Sequence, residues 1–294
     1  MKSSIQRVQP EAAVEQLYNR CRESGHCHVL LDPQAGSPFS EQIAALAEKL
    51  APHVHLRDQM FAGAPQEAPM LLRLPLSELP LLEALAVHAQ QEATDPTNAP
   101  RSVCAFVQSS APDAGVASRL GWALNLKVEG QGIYFRYFDP RVFLHLCHLL
   151  PADTLGHLLQ GISTWSYFLW DGSFVVQEVP ESNSPKPIDL RLTSKQWQTF
   201  ESIEHFNATQ RLFARQGLPF ETAQVVDLFA KVRAAKALGL STPDDTAHYL
   251  ACSHLAASPL SRHPAWPDVL MLLKQEVPLA EALAQLCSVS LASA

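Results

Sequence analysis

The sequence predicts an α/β fold, a mixed sheet flanked by helices, followed by an all-helical C-terminal domain. Three observations carry that prediction. Up to about residue 138, stretches with helical apolar spacing alternate with short continuous apolar runs. Residues 179–190 (VPESNSPKPIDL) then break the pattern, with three prolines, two serines and no periodicity. Beyond them only helical signals recur. The boundaries that follow are an α/β domain over residues 1–180, a linker over 181–192 and a helical domain over 193–294.

Each element has its own local reason. Residues 11–23 place Ala13, Leu17 and Cys21 on one helical stripe. His28 to Leu31 is a short apolar run closed by Asp32-Pro33, and reads as a strand. Residues 40–50 read as helix and Met70 to Leu74 as strand. From Ser77 to Gln90 an apolar repeat runs through Leu81, Leu82, Leu85 and Ala86, the pattern of a helix. Val103 to Val107 is apolar without a break, as for a strand covered on both faces. Residues 114–126 suit a helix, and Gly132 to Phe138 an interior strand. Asp171-Gly172, between the apolar runs 165–170 and 173–179, signals a hairpin.

In the helical domain, Thr193 and Gln196 form a capping-box pattern opening a helix that extends toward Arg215, before Gly217 and Pro219. Glu221 to Leu238 reads as a helix closed by Gly239. Thr242-Pro243-Asp244-Asp245 combines an N-cap, a first-turn proline and acids at the positive helix end. Pro267 and Pro278 open two further helical stretches.

Composition narrows the function classes. Of 294 residues, 47% are hydrophobic and 17% charged, which supports a sizeable core. The net charge of −7 argues against general affinity for nucleic acid or anionic membrane. Residues 1–180 hold 12 basic and 18 acidic side chains, so no basic domain is hidden inside the average. Six scattered cysteines without a C-x-x-C pair read as reduced, mostly buried residues. With no signal-peptide pattern and no apolar run near ~20 residues, the expectation is a soluble cytoplasmic protein.

The densest chemistry lies in Tyr134 to Val142, YFRYFDPRV. On an interior strand Arg136 falls between the rings of Tyr134 and Phe138, and such a charge requires a carboxylate or backbone oxygens nearby. Asp139 fits an N-cap accepting from the N–H groups of Arg141 and Val142, with Pro140 at the first helical position. In the following helix Arg141, His145 and His148 share one stripe, either a solvated face or an interaction surface. Pairs such as His145 and His148, the outer histidines of His26-Cys27-His28, or those of His53-Val54-His55 lack further ligands, so no metal site is assigned. Nucleophile-elbow, phosphate-loop, H-E-x-x-H and paired-cysteine patterns are missing, and Gly130-Gln131-Gly132 precedes a strand rather than a helix. From these residues no enzyme class and no cofactor is assigned.

Tyr134-Phe135-Arg136-Tyr137-Phe138-Asp139-Pro140-Arg141-Val142 resembles the FRFYDPRV signature of the type VI secretion adaptor proteins, also called effector chaperones of the Tap/Tec type. These carry a domain of unknown function whose hallmark is this strand-to-helix motif. Leu30-Leu31-Asp32, Leu149 to Asp153, Leu158 to Gly161, Trp165 and Asp171-Gly172 resemble its surroundings, and the likeness covers roughly residues 25–178. Phe135, Arg136, Phe138, Asp139, Pro140 and Arg141 carry the motif. The resemblance implies binding of a cognate toxin effector, often by its N-terminal region, and its loading onto the VgrG spike. It also implies that the helical region recognises the effector. Arg141, His145 and His148 are the candidate contacts beside the motif, with Trp197, Phe200, Phe206, Phe213 and Phe229 in the helical region. For any single one of those aromatics, the domain's own core is the first reading and a partner contact the second. Two other readings stand beside the adaptor: a metal-dependent or hydrolytic enzyme using the scattered histidines and Asp139, and a structural subunit of a secretion assembly.

Overall fold

The computed structural model describes residues 5–33, 45, 52–95, 97, 99–128, 131–180, 192–218, 225–255 and 260–292. The expected helix over 40–50 and the linker over 181–192 fall outside these residues, apart from Ala45 and Leu192. The chain divides into two units, Met1–Gln196 and Trp197–Ala294.

In the first unit, β1 (Ile5–Val8) leads into α1 (Pro10–Ser24) and β2 (His26–Leu31). The edge strand β3 (His53–His55) and β4 (Met70–Pro75) follow, then α2 (Leu79–Thr94) and β5 (Val103–Ser109). Next come α3 (Asp113–Trp122), β6 (Asn125–Val128), β7 (Gln131–Tyr134), α4 (Pro140–Leu149) and α5 (Ala152–Leu158). The hairpin strands β8 (Ile162–Phe168) and β9 (Phe174–Glu178) complete a seven-stranded sheet in the order β1-β9-β8-β5-β2-β4-β3. Strands β6 and β7 pair apart from it.

Every pairing in these sheets is antiparallel, where the sequence pointed to a mixed sheet. The unbroken apolar run of β5 arises from cover on both faces, and all seven of its residues are buried. On one face, Ala13, Leu17 and Cys21 of α1 and Leu82, Leu85 and Ala86 of α2 share a core with Val29, Phe106 and Phe174. On the other, Phe143 of α4 stacks on Trp165 at 4.7 Å and meets Tyr167 edge-on. The two-residue period of β8 is visible here: Trp165 and Tyr167 face α4, and Phe168 joins the opposite core.

The Asp171-Gly172 hairpin forms as its chemistry dictates. The Asp171 carboxylate accepts from the Ser173 N–H at 3.0 Å and the Ser173 hydroxyl at 2.6 Å, and Gly172 takes a φ of 76°. Arg7 ties β1 to this turn by pairing with Asp171.

The helix α6 (Ser194–Phe200) crosses the division between the units. Thr193 and Gln196 make the capping box, the Gln196 N–H donating to the Thr193 hydroxyl at 3.2 Å and the Thr193 N–H to the Gln196 side chain at 2.9 Å. The expected single helix to Arg215 is two, because turn residues Glu201 and Ser202 separate α6 from α7 (Ile203–Arg215). The second unit continues with α8 (Val225–Ala237), α9 (Pro243–Leu255), α10 (Trp266–Leu273) and α11 (Leu279–Ala292). Thr242 caps α9 through the Asp245 N–H at 3.1 Å, and Asp245 in turn accepts from the Leu279 N–H at 2.7 Å, fastening the start of α11.

Candidate functional site

The motif is a joint rather than a strand. Strand β7 stops at Tyr134, three residues after it begins, and residues 135–139 turn instead of extending to Phe138. The Phe135 N–H donates to the Leu124 carbonyl at 2.8 Å, the Tyr137 N–H to the Phe135 carbonyl at 2.8 Å, and the Asp139 N–H to the Arg136 carbonyl at 3.1 Å. These turns break the alternation that a strand imposes. Consecutive residues Tyr137 and Phe138 are therefore both buried, and Phe135 joins them. The Tyr137 hydroxyl satisfies itself on the Leu120 carbonyl at 3.0 Å.

Asp139 is the centre of the joint. It caps α4 by accepting from the Arg141 N–H at 3.0 Å, whereas the Val142 N–H donates to the Asp139 backbone carbonyl at 2.8 Å. Its two oxygens also receive the Arg141 guanidinium as a fork, at 2.9 and 2.6 Å. Arg136 reaches the same carboxylate at 3.8 Å and the Asp32 carboxylate, at the end of β2, at 2.6 Å. Its guanidinium lies 5.8 Å from the centre of the Phe138 ring. The sheet, the hairpin β6–β7 and α4 are thus pinned at one point by opposite charges. Burial pushes the Asp139 carboxyl up, but the charges of Arg141 and Arg136 and the hydrogen bonds from Arg141 outweigh it and hold the group below the usual carboxylate range.

A second layer lies behind. Arg101 is 3% exposed and donates to the Ala93 carbonyl at 3.1 Å; burial pushes its guanidinium down to about 10 against the attraction of Asp139. Glu92 accepts from the Ser102 N–H at 2.9 Å, the Ser102 hydroxyl at 2.6 Å and the Val103 N–H at 3.2 Å, and lies 3.3 Å from His88. The Asp32 N–H donates to the Ser102 carbonyl at 2.8 Å, which couples this layer to the joint. Sequence reasoning missed Arg101, Glu92 and the role of Asp32. Their signal was a pair of polar residues, Arg101-Ser102, at the lip of a strand buried on both faces, where a charge has to find a partner inside.

The stripe of Arg141, His145 and His148 is not a solvated face. Arg141 is committed to Asp139, His145 is 1% exposed, and only His148 is exposed. Four consecutive residues, Phe143 to Leu146, are buried, so the middle of α4 is enclosed on nearly all sides. Burial, with His148 nearby, pushes the His145 imidazole down to about 3. In the helical unit Phe200, Phe206, Phe213 and Phe229 are buried, Phe206 stacking on Phe229 at 5.3 Å, so they build that unit's core. Trp197 is half-buried, its indole N–H donating to Glu201 at 2.8 Å.

Elsewhere, the rings of His26 and His28 meet edge-on at 4.8 Å, and the buried His28 lies 2.9 Å from the Asp113 carboxylate. Among the described residues no three histidine, cysteine, aspartate or glutamate side chains are grouped so as to hold a metal ion. What the joint does chemically is neutralise charges in pairs. An Asp139 held ionised by two guanidinium groups makes a weak proton acceptor and a strong structural anchor.

No curated protein matches the chain, and no solved structure matches it. Residues 27–156, from β2 through the charged joint to α5, match the family model described as "Domain of unknown function (DUF4123)".

Proposed function

We propose that the chain is a non-catalytic adaptor of type VI secretion, which binds a cognate toxin effector and promotes its loading onto the VgrG spike. The observation that supports this most is the coincidence of the family match with the joint of Asp32, Arg136, Asp139 and Arg141, the part of the chain that carries the adaptor signature. The same side chains have their charges satisfied against one another, as suits a rigid binding scaffold more than an acid–base centre. The work is done in the cytoplasm before firing, and the adaptor is not itself exported. Deleting the gene should leave the level of the neighbouring toxin unchanged while abolishing its delivery to target cells, and the wild-type gene should restore delivery. Undiminished delivery from the deletion strain would remove the proposal.

A further inference from the structure

The seven-stranded sheet ends on β1, and the phase of its hydrogen bonds fixes where the backbone of that strand points. The Leu169 N–H donates to the Ser173 carbonyl and the Val179 N–H to the Ser163 carbonyl, each at 2.9 Å. Within that register Val175 and Gln177 of β9 bond toward β8, so Phe174 and Val176 bond toward Val8 and Gln6 of β1. By the same alternation the N–H and C=O groups of Ile5 and Arg7 point away from β9, along the outer edge of the sheet. The Arg7 side chain is engaged separately, pairing with Asp171 and donating to the Ser173 hydroxyl at 3.1 Å. Such an edge is matched by the backbone of one further extended strand.

Beside it a groove of about 420 Å³ lies between β1 and α1, lined chiefly by Gln6, Glu15, Gln16, Asn19, Arg20 and Glu23. The Gln16 side-chain N–H donates to the Gln6 side-chain oxygen at 3.3 Å, which ties the helix wall to the edge strand. Glu15, Asn19 and Glu23 are exposed and follow one another at helical spacing, so they form one stripe along the groove. The guanidinium of the lining, Arg20, lies 3.3 Å from the Glu178 carboxylate of β9. Glu15 and Glu23 form no ion pair with a described residue, and Arg22 lies outside the lining. The groove therefore offers two uncompensated carboxylates among amide side chains, and a cation complements it. An added strand would carry every second side chain on the face that Gln6 occupies. We propose that β1 takes up an extended segment of a partner protein as an added strand, with a lysine or arginine of that segment set in the groove between Glu15 and Glu23. That the partner is a toxin effector rests on the adaptor reading.

The test uses the full chain and a fluorescent peptide of alternating lysine and valine, followed by anisotropy. Binding is expected, and it should weaken by about tenfold or more in Glu15→Lys/Glu23→Lys, which changes exposed side chains only. It should weaken as much in Arg7→Pro, which removes an outward N–H and no bond of the β1–β9 ladder, whereas Arg7→Ala should bind as the wild type does. The melting temperatures of Arg7→Pro and Arg7→Ala should agree; if the proline variant melts lower, the glutamate variant and the competition below decide alone. A matching glutamate–valine peptide should not bind, and excess spermidine, which has the charge without the backbone, should not displace the lysine peptide. No binding, undiminished binding in the glutamate or the stable proline variant, equal loss in Arg7→Ala, equal binding of the glutamate–valine peptide, or displacement by spermidine would each overturn the proposal. If peptide binding fails while the wild-type chain co-purifies with its toxin, the edge is wrong and the adaptor reading survives. The opposite pair of results retains the edge and removes the adaptor.

Discussion

Asp139 shows how one side chain carries a fold when its partners are enclosed with it. Asp139→Ala removes the cap of α4 and strands Arg141, which should cost at least about 3 kcal/mol by chemical denaturation. Asp139→Asn keeps the cap but not the charge and should fall between that variant and the wild type. Arg136→Ala leaves Asp32, 1% exposed, without its cation and should lower the melting temperature by several degrees. An unchanged melting temperature with lost partner binding would make Arg136 a contact residue instead. His145 sets a pH dependence. It takes a proton only near about 3 in the folded chain, against about 6.5 when unfolded, so the unfolded state binds more protons between those values. Stability should therefore fall as pH drops through that window, by up to about 1.4 kcal/mol per pH unit. Asp139, its folded pKa depressed, adds stability that is full above the unfolded carboxylate value near 3.9 and is lost as pH falls through the folded value. Burial lowers the imidazoles of His28 and His148 as well, so His145→Leu should make the decline between pH 6 and 4 shallower and keep the lower one; parallel curves would refute the assignment.

At the scale of elements, sequence legibility followed the source of each signal. Elements driven by local chemistry were readable in place: the stripe Ala13, Leu17 and Cys21 is the buried stripe of α1, and the pairs Thr193–Gln196 and Thr242–Asp245 cap helices. The strand expected over 132–138 failed because aromatic residues on both parities fit an interior strand and a tight turn equally well. Only contacts distant in sequence, with Leu120, Leu124 and Asp32, decide for the turn. His145 was misplaced for a related reason, since helical spacing says which residues share a face but not how many faces are covered. For the aromatics of the helical unit the sequence favoured a core role over a partner contact, and Phe200, Phe206, Phe213 and Phe229 are buried. One close approach gives an element-scale prediction. Gly121→Ala would drive a methyl group into the Arg57 carbonyl oxygen at 2.6 Å and should destabilise the chain by about 1–3 kcal/mol. A wild-type melting temperature in that variant would show that the segment before Gln59 yields freely.

For the whole molecule, the division at residue 196 separates a sheet-centred unit, which holds the family match and the charged joint, from a helical unit outside the match. Among the described residues no helix is long and apolar enough to cross a membrane. The helical unit buries Phe200, Phe206, Phe213 and Phe229 in its own core, and the exposed Met60 and Trp122 lie in the other unit. In the sheet-centred unit the buried charges of Asp32, Arg136, Asp139 and Arg141 are spent on holding its own elements in register. The central claim is that the partner is a toxin encoded beside this gene, and co-purification from native cytoplasm with that toxin expressed tests it most directly. The account predicts a stable complex that survives gel filtration, and recovery of the chain without the toxin would contradict it.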